Sequence, residues 1–223
     1  MSADTAKERI YEQFARIGKA LAAPGRLQLI DLLTQGERPV DALAREAAMS
    51  VANASQHLQV LHAARLVDTR REGQRIYYRL AAPSVVDLWL TLRNTAESQL
   101  AELDSVAREY LGEPEKFEPI DRAELARRIE AGTVLVIDVR PPEEFEQGHI
   151  AGAISVPLED IKTWAREAPK RKQIVAYCRG PYCVYALQAA AELRKRGLEA
   201  MRAVDGVAEW RAAGLPIERG SPS

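Results

Sequence analysis

The sequence predicts two domains, a mainly α-helical domain followed by an α/β domain with a mostly parallel sheet. Apolar residues recur at helical spacing through most of residues 1–111, whereas short apolar strands alternate with helical segments over 120–219. A charged stretch with two prolines and no apolar period separates them at 112–119, as expected of a linker. The net charge of −1 excludes binding to nucleic acid through overall charge, so any such contact requires a local basic patch.

The first domain begins with four predicted helices, over residues 6–21, 26–34, 42–48 and from 51 onwards. The first has apolar residues at spacings of four, three and four, namely Ile10, Phe14, Ile17 and Leu21. The dipeptide Pro24-Gly25 ends it. Asp41 is expected to cap the third helix and Ser50 the fourth, because short polar side chains accept hydrogen bonds from the first turn. The tight turn between these two helices predicts a helix-turn-helix.

The fourth helix carries the candidate residues for contact with DNA bases. Ala54, Leu58 and Leu61 fall on one face, at the spacing expected of a buried stripe. Short polar and amide side chains on the other positions can hydrogen-bond to base edges in the major groove. These candidates are Ala52, Asn53, Ser55, Gln56 and Gln59. A polar face in contact with solvent alone is the alternative interpretation.

Residues 66–80 predict a β-hairpin that follows the helix-turn-helix. Two strand-like runs flank Glu72-Gly73-Gln74, which is typical of a tight turn. Basic side chains along the hairpin suit phosphates or the minor groove: Arg70, Arg71, Arg75 and Arg79. A helix-turn-helix followed by a basic hairpin is a winged-helix arrangement.

Residues 20–90 resemble the ArsR-type winged-helix repressors, chiefly over 21–33, 49–61 and 73–80. The resemblance implies that the chain binds double-stranded operator DNA as a homodimer. Many members sense metals through cysteines before the recognition helix or through Asp/His pairs in the last helix. Here 40–48 contains no cysteine and the last helix no histidine, so metal sensing in this domain is not expected. His57 and His62 lie five residues apart, off a common helix face, and are interpreted as structural or DNA-facing.

Residues 85–111 are predicted to form one long helix with an apolar stripe that a small winged domain cannot bury alone. The stripe consists of Leu88, Trp89, Leu92, Leu100, Leu103, Ala107 and Tyr110. A dimer interface shared with the first helix is the expected use of this stripe. Packing against the second domain of the same chain is the alternative.

The second domain starts with Asp121, which is expected to cap a helix that ends at residue 131. Strands are predicted over 133–139, 173–177 and 200–204, with helices between them. This alternation predicts a mostly parallel sheet with helices on both faces. Cys178 then lies at the carboxyl end of a strand, where open α/β sheets place their chemistry.

Both cysteines of the chain, Cys178 and Cys183, lie in one short loop between a strand and a helix. The intervening residues are Arg179, Gly180, Pro181 and Tyr182. Gly and Pro break regular structure, so backbone N–H groups of 179–183 can turn towards the first thiol. These donors, the following helix and the neighbouring guanidinium all favour a thiolate, which predicts a lowered pKa and a reactive nucleophile at Cys178.

Three other interpretations of the two cysteines remain. They could be small buried hydrophobic residues. A structural disulfide is less favoured, because no signal peptide and no run of 18 apolar residues is found, which predicts a reducing, cytoplasmic location and no membrane contact. A zinc site lacks ligands, since His149 is the only histidine in this half of the chain. No metal and no cofactor are therefore expected.

Residues 120–218 resemble the single-domain rhodaneses, through the stretches 136–157, 178–183 and 204–216. The resemblance implies a sulfurtransferase in which Cys178 attacks a small sulfane-sulfur donor and carries the sulfur as a persulfide held by loop amides. Similar phosphatases have a longer loop that ends in arginine, where this chain has Val184, so phosphate or arsenate chemistry is disfavoured. The loop departs from the common rhodanese pattern because it ends in a second thiol, Cys183.

Three functions are compatible with these patterns. The first is a transcriptional repressor in which Cys178 takes sulfur from a persulfide, polysulfide or thiosulfate and Cys183 resolves the persulfide. The second is a sulfurtransferase enzyme whose winged helix serves dimerisation. The third is a sensor of arsenite or another soft metal through both cysteines. In each case Asp138 and Arg140 are expected to support the loop as an internal ion pair rather than to act as catalysts.

Overall fold

The computed structural model describes residues 3–112 and 119–220, which divide into two compact units at Thr91 and Leu92. Residues 113–118 of the predicted linker lie outside the described residues. The predicted fold class, a winged helix-turn-helix followed by an α/β domain with a parallel sheet, is confirmed. None of the helices in the described ranges is long and apolar enough to cross a membrane.

The first unit packs helices against a small antiparallel sheet in the order β1-β3-β2. Its elements are α1 (Ala3–Leu21), α2 (Pro24–Thr34), β1 (Arg38–Pro39), α3 (Val40–Glu46), α4 (Val51–Ala63), β2 (Val67–Glu72), β3 (Arg75–Leu80) and α5 (Pro83–Gln99), the last of which crosses into the second unit. Helices α2, α3 and α4 supply the fully buried side chains Leu29, Ile30, Leu43, Leu58 and Leu61. The helical spacing of these leucines is therefore the spacing of a core-facing stripe.

Helix α4 and the hairpin form as the sequence predicts. The Ser50 hydroxyl accepts the backbone N–H of Asn53 at 3.2 Å and so caps α4. Strands β2 and β3 pair from Val67 with Leu80 to Glu72 with Arg75. Gly73 in the two-residue turn has φ +59°, a conformation that tight hairpins require and that glycine adopts without steric cost.

Two local predictions for the helices are wrong. Asp41 does not cap α3, because the helix begins at Val40, before the predicted start at residue 42, and extended Pro39 is its N-cap. The long helix predicted over 85–111 is broken between Gln99 and Glu102 into α5 and α6 (Glu102–Leu111). The Ser98 hydroxyl donates to the Thr95 carbonyl at 3.0 Å in the last turn of α5.

The second unit is built on a five-stranded parallel sheet in the order β4-β9-β8-β5-β7. These strands are β4 (Pro119–Ile120), β5 (Val134–Asp138), β7 (Ile154–Ser155), β8 (Gln173–Tyr177) and β9 (Ala200–Ala203), and a two-stranded antiparallel ladder joins β6 (His149–Ile150) to β10 (Ile217–Glu218). The helices after α6 are α7 (Arg122–Glu130), α8 (Pro142–Gln147), α9 (Ile161–Trp164), α10 (Val184–Lys195) and α11 (Val207–Ala212). Asp121 caps α7 as predicted, accepting the N–H of Glu124 at 2.9 Å.

Apolar cores cover both faces of the parallel sheet, as a fully buried sheet requires. Along β8, Ile174 and Ala176 face one core, which also contains Ala189, Ala190 and Leu193 of α10. Val175 and Tyr177 face the other core, which also contains Leu125 of α7 and Trp210 of α11. Strand β8 is the central strand, so the loop that follows it is held from both sides.

Candidate functional site

Cys178 directly follows β8, and the loop that it begins ends where α10 starts at Val184. The N-terminal end of α11 packs closely against this loop. A Cβ at Gly206 would lie 2.5 Å from the carbonyl carbon of Arg179. Only glycine permits that approach. Gly180 has φ +139°, which places the middle of the loop in a region that other residues rarely adopt. The backbone of the loop is thus fixed by packing on its inner side.

The two cysteines are free thiols that hydrogen-bond to each other. Cys178 is only 2% exposed, whereas Cys183 is partly exposed. The Cys178 Sγ also lies 3.5 Å from the Cys183 carbonyl oxygen, which is a second acceptor for its one S–H. Backbone N–H groups of Gly180 and Ala186 point to the Cys178 sulfur. Those of Arg179 and Tyr185 point to the Cys183 sulfur, so each sulfur lies among amide donors from the loop and from the first turn of α10.

The predicted lowering of the Cys178 pKa is wrong, because the lowered pKa belongs to Cys183. Burial, followed by the hydrogen bond to Cys183, raises the pKa of the Cys178 thiol well above its usual range. The hydrogen bond from Cys178, followed by the amide donors, lowers the pKa of Cys183 to about 7 against the opposing effect of burial. The pair therefore loses its first proton near neutral pH, and the remaining proton lies between the two sulfurs.

The main partner of the Arg179 guanidinium is a carboxylate and not either thiol. Its guanidinium pairs with the buried Glu144 carboxylate, with an Nη2–Oε1 distance of 2.5 Å and Nε at 3.1 Å from both oxygens. The Arg179 charge therefore makes only a small contribution to the lowered pKa of Cys183. The guanidinium also lies 5.9 Å from the centre of the Tyr185 ring, next to the start of α10.

Asp138 and Arg140 form a fully buried ion pair, with Arg140 Nη2 at 2.5 Å from Asp138 Oδ2. The Tyr177 hydroxyl donates to the same carboxylate at 2.6 Å and accepts the N–H of Ile150. Burial and the nearby Asp138 charge raise the pKa of Tyr177 well above its usual range, so the hydroxyl remains a donor. The pair therefore holds the residue immediately before Cys178.

Four residues around the loop were not predicted from the sequence. Glu209 of α11 accepts the N–H of Gly206 at 2.8 Å, and it pairs with Arg93 at 2.6 Å. The Tyr182 hydroxyl donates to Glu97 at 2.8 Å. Glu144, the partner of Arg179, is the fourth. Glu144 and Glu97 lie 35 and 85 residues from their loop partners along the chain, and no motif marks the pairing.

The candidate DNA-binding residues lie on the outer face of α4. Ala52, Asn53, Gln56 and Gln59 are exposed, and Ser55 is half-buried. Ala54, Leu58 and Leu61 on the opposite face are fully buried, as predicted. The candidate residues on the outer face of α4 are therefore accessible to a groove of DNA.

The four arginines of the β2–β3 hairpin differ in the partners that they bind within the chain. Arg70 is bound within the unit, with Nη2 at 2.7 Å from Glu37 and Nη1 at 2.8 Å from Glu72. Arg79 lies 3.7 Å from Asp68. Arg71 donates to the Gly73 carbonyl, and Arg75 is exposed at the start of β3. Arg70 is thus less available to a phosphate than the sequence suggests.

Comparison with known proteins assigns both units. Residues 23–69 match the family model described as bacterial regulatory protein, arsR family, and residues 121–213 match the rhodanese-like domain. The HTH-type transcriptional regulator Rv0324 of Mycobacterium tuberculosis is 47% identical over 216 residues, which cover 97% of this chain and 95% of that protein. This similarity extends across both units.

Two further relatives match one unit each. A protein named sulfurtransferase from Allochromatium vinosum is 35% identical over 100 residues, covering 44% of this chain and 92% of that protein. The solution structure of a homodimeric winged helix-turn-helix DNA-binding domain from Mycobacterium bovis is 43% identical, covering 46% of this chain and 93% of that one, with a TM-score of 0.42. On the full-length match and the two family models, the chain belongs to the ArsR-family DNA-binding transcriptional regulators that carry a C-terminal rhodanese-like domain.

Proposed function

We propose that this regulator is a repressor that responds to sulfane sulfur through Cys178 and Cys183. The observation that carries the proposal is that the only two thiols of the chain hydrogen-bond to each other inside one loop of amide donors. One thiolate is present near neutral pH, and a thiolate is the form that attacks a sulfur–sulfur bond. Transfer of the Cys178 proton to Cys183 places that charge on the sulfur held by Gly180 and Ala186.

The chemistry has two balanced steps. In the first, the Cys178 thiolate attacks the terminal sulfur of a donor R–S–SH and forms a sulfur–sulfur bond. The donor's own sulfur–sulfur bond breaks, and the carrier leaves as R–SH with the proton that Cys183 had received. In the second, the Cys183 thiolate attacks the inner sulfur of the Cys178 persulfide, which forms a Cys178–Cys183 disulfide and releases hydrogen sulfide. The hydrogen bond between the two thiols supports the second step, because it pairs the attacking sulfur with the sulfur that it attacks.

Operator binding is assigned to α4 and the hairpin, with Ala52, Asn53, Ser55, Gln56 and Gln59 at base edges and Arg71, Arg75 and Arg79 at phosphates. We further propose a homodimer that buries exposed apolar side chains of α1 and α5. Ile10, Tyr11 and Phe14 of α1 are 54%, 61% and 66% exposed, and Leu88 and Leu92 of α5 are 37% and 38% exposed. Such side chains favour association with a second copy. The proposed domain limits are 1–111 and 120–219.

The test is the affinity of the full-length protein for its own upstream DNA at fixed salt, before and after treatment with polysulfide. The proposal expects a change in Kd of tenfold or more, about 1.4 kcal/mol, that Cys178→Ser abolishes. Cys183→Ser should still form a Cys178 persulfide but no disulfide, as shown by intact mass. Selective binding that polysulfide leaves unchanged in the wild type would refute the sensing function.

A second candidate function is a sulfurtransferase enzyme whose winged helix serves dimerisation. It is favoured by the fixed backbone of the loop and by the similarity of residues in this unit to a protein named sulfurtransferase. Steady turnover of a donor with a thiol acceptor, together with no selective DNA binding, would support the enzyme. Cys183→Ser separates the two functions, because a simple transferase needs only Cys178 while the disulfide step needs both.

A further inference from the structure

A cleft of about 490 Å³ opens beside the cysteine loop, at the carboxyl ends of β5 and β7. Val139 follows β5, and Pro157 and Leu158 follow β7. Neighbouring strands of this sheet are parallel, so their carboxyl ends lie on the same side of the sheet. The cleft therefore lies on the same side as Cys178, which follows β8. Open α/β sheets bind small molecules at the carboxyl ends of their strands.

Three wall residues connect the cleft to the thiols. Val139 and Cys178 are buried in the same apolar cluster, and Leu158 and Tyr185 pack against that cluster. The N–H of Tyr185 also donates to the Cys183 sulfur. The cleft therefore adjoins residues that pack around the two cysteines, and its wall there is formed by apolar and aromatic side chains.

The charge of the cleft is negative. Its two charged wall residues are Glu143 and Glu159, both exposed, and no Lys, Arg or His of the described ranges lines it. The two arginines nearest in sequence to these walls and the loop are already engaged, Arg140 with Asp138 and Arg179 with Glu144. A dianion such as thiosulfate would meet two carboxylates here without a compensating cation from the walls.

We propose that this cleft binds the carrier of an organic hydropersulfide with a short apolar body and an ammonium group, and that thiosulfate is a poor donor for Cys178. The proposal rests on the proposed function, because it names the donor that supplies the sulfur. The apolar walls contact the carbon chain of the carrier, and Glu143 and Glu159 attract its ammonium group. The reaction converts R–S–SH and the Cys178 thiol into R–SH and the Cys178 persulfide, and no external oxidant is required.

The test compares the persulfides of cysteamine and 3-mercaptopropionate, two carriers of similar length and opposite charge, with thiosulfate as the third donor. Trapping and mass spectrometry of the full-length protein give the rate at which Cys178 becomes a persulfide or a disulfide. The double variant Glu143→Gln/Glu159→Gln removes both wall charges. Glu130→Gln/Glu167→Gln is the matched control, since it changes net charge equally at exposed sites outside the cleft walls.

In the wild type and the control, the cationic donor should react at least tenfold faster than the anionic donor, and thiosulfate should be slowest. In the Glu143→Gln/Glu159→Gln protein, this ratio should fall to within about threefold of unity, by loss of the electrostatic attraction. An unchanged ratio in that variant, or an anionic preference in the wild type, would overturn the cleft proposal while leaving sulfur sensing intact. Failure of all three donors to modify Cys178 would overturn both.

Discussion

Replacement of Cys178 by alanine should make Cys183 a weaker acid, although Cys178 is not itself the residue with the lowered pKa. The variant removes the largest contribution to the lowered Cys183 pKa of about 7, the hydrogen bond from Cys178, while the burial that raises this pKa stays. The pKa of Cys183 is then expected to rise by up to about two units, towards the usual thiol value of 9.0, because burial is opposed only by the amide donors and Arg179. That shift corresponds to roughly 3 kcal/mol of lost thiolate stabilisation.

The expected change in reactivity follows from two opposing effects. At pH 7 the thiolate fraction falls from about one half to about one hundredth, roughly fiftyfold. The more basic thiolate is a better nucleophile, and a Brønsted coefficient of about 0.5 over two pKa units restores about tenfold. Alkylation of Cys183 by iodoacetamide at pH 7 should therefore be about fivefold slower in Cys178→Ala than in the wild type.

The assay is the alkylation rate of Cys183 measured by mass spectrometry from pH 5 to 10. In the wild type the rate should rise as the pH passes about 7, since the reactive form is the deprotonated one. In Cys178→Ala the midpoint should move up by about two pH units, and Cys178→Ser, which keeps a hydroxyl donor, should lie between. An unchanged midpoint in Cys178→Ala would show that the amide donors alone lower the pKa and would refute the role of the thiol–thiol hydrogen bond.

Three other perturbations test the support of the loop and the DNA-binding surface. Gly206→Ala should lower the free energy of unfolding by about 1–3 kcal/mol in a denaturant titration, since its Cβ would meet loop backbone; a change below about 0.5 kcal/mol would contradict the close packing. Asp138→Asn should cost about 3 kcal/mol in the same titration, because it removes the closest carboxylate of the fully buried Arg140, whose other carboxylate partner, Glu144, lies 3.9 Å away; a neutral effect would show that the pair adds nothing. In DNA binding measured against salt concentration, Arg75→Ala should reduce the slope of log K against log salt by about 1. Arg70→Ala should leave the slope nearly unchanged, because Glu37 and Glu72 already pair with Arg70. Equal effects of the two variants would contradict the assignment of Arg75, and not Arg70, to a phosphate.

The fold was predictable where one local pattern decides one element. The continuous apolar run before Asp138 predicted a strand buried on both faces, and the strand is β5. Ser50 and Asp121 predicted helix starts, because an N-cap needs only a short polar side chain and the N–H three residues later. The break after Gln99 was not predictable in this way, since neither Pro nor Gly marks it and a serine hydroxyl bond accompanies it.

The candidate site was predictable only in part, for a physical reason. The position of Cys178 follows from a strand, a Gly-Pro loop and a helix, all of which are local. The pKa values are not local, because they depend on burial of Cys178 and on contact between two sulfurs. Likewise Glu144 and Glu209 reach the loop from separate helices, and only the packed structure brings those carboxylates beside Arg179 and Gly180.

The position of the boundary between the compact units affects how the DNA-binding part can be studied alone. Helix α5 runs past that boundary, and its last turns carry Arg93 and Glu97, which bind Glu209 and Tyr182. A truncated protein that stops at residue 111 would retain both helix residues and lack both of their partners. Its helix end would then be hydrated and free to fray. The difference in operator affinity between this fragment and the intact chain would therefore measure what the rhodanese-like part contributes to binding, before any sulfur donor is added.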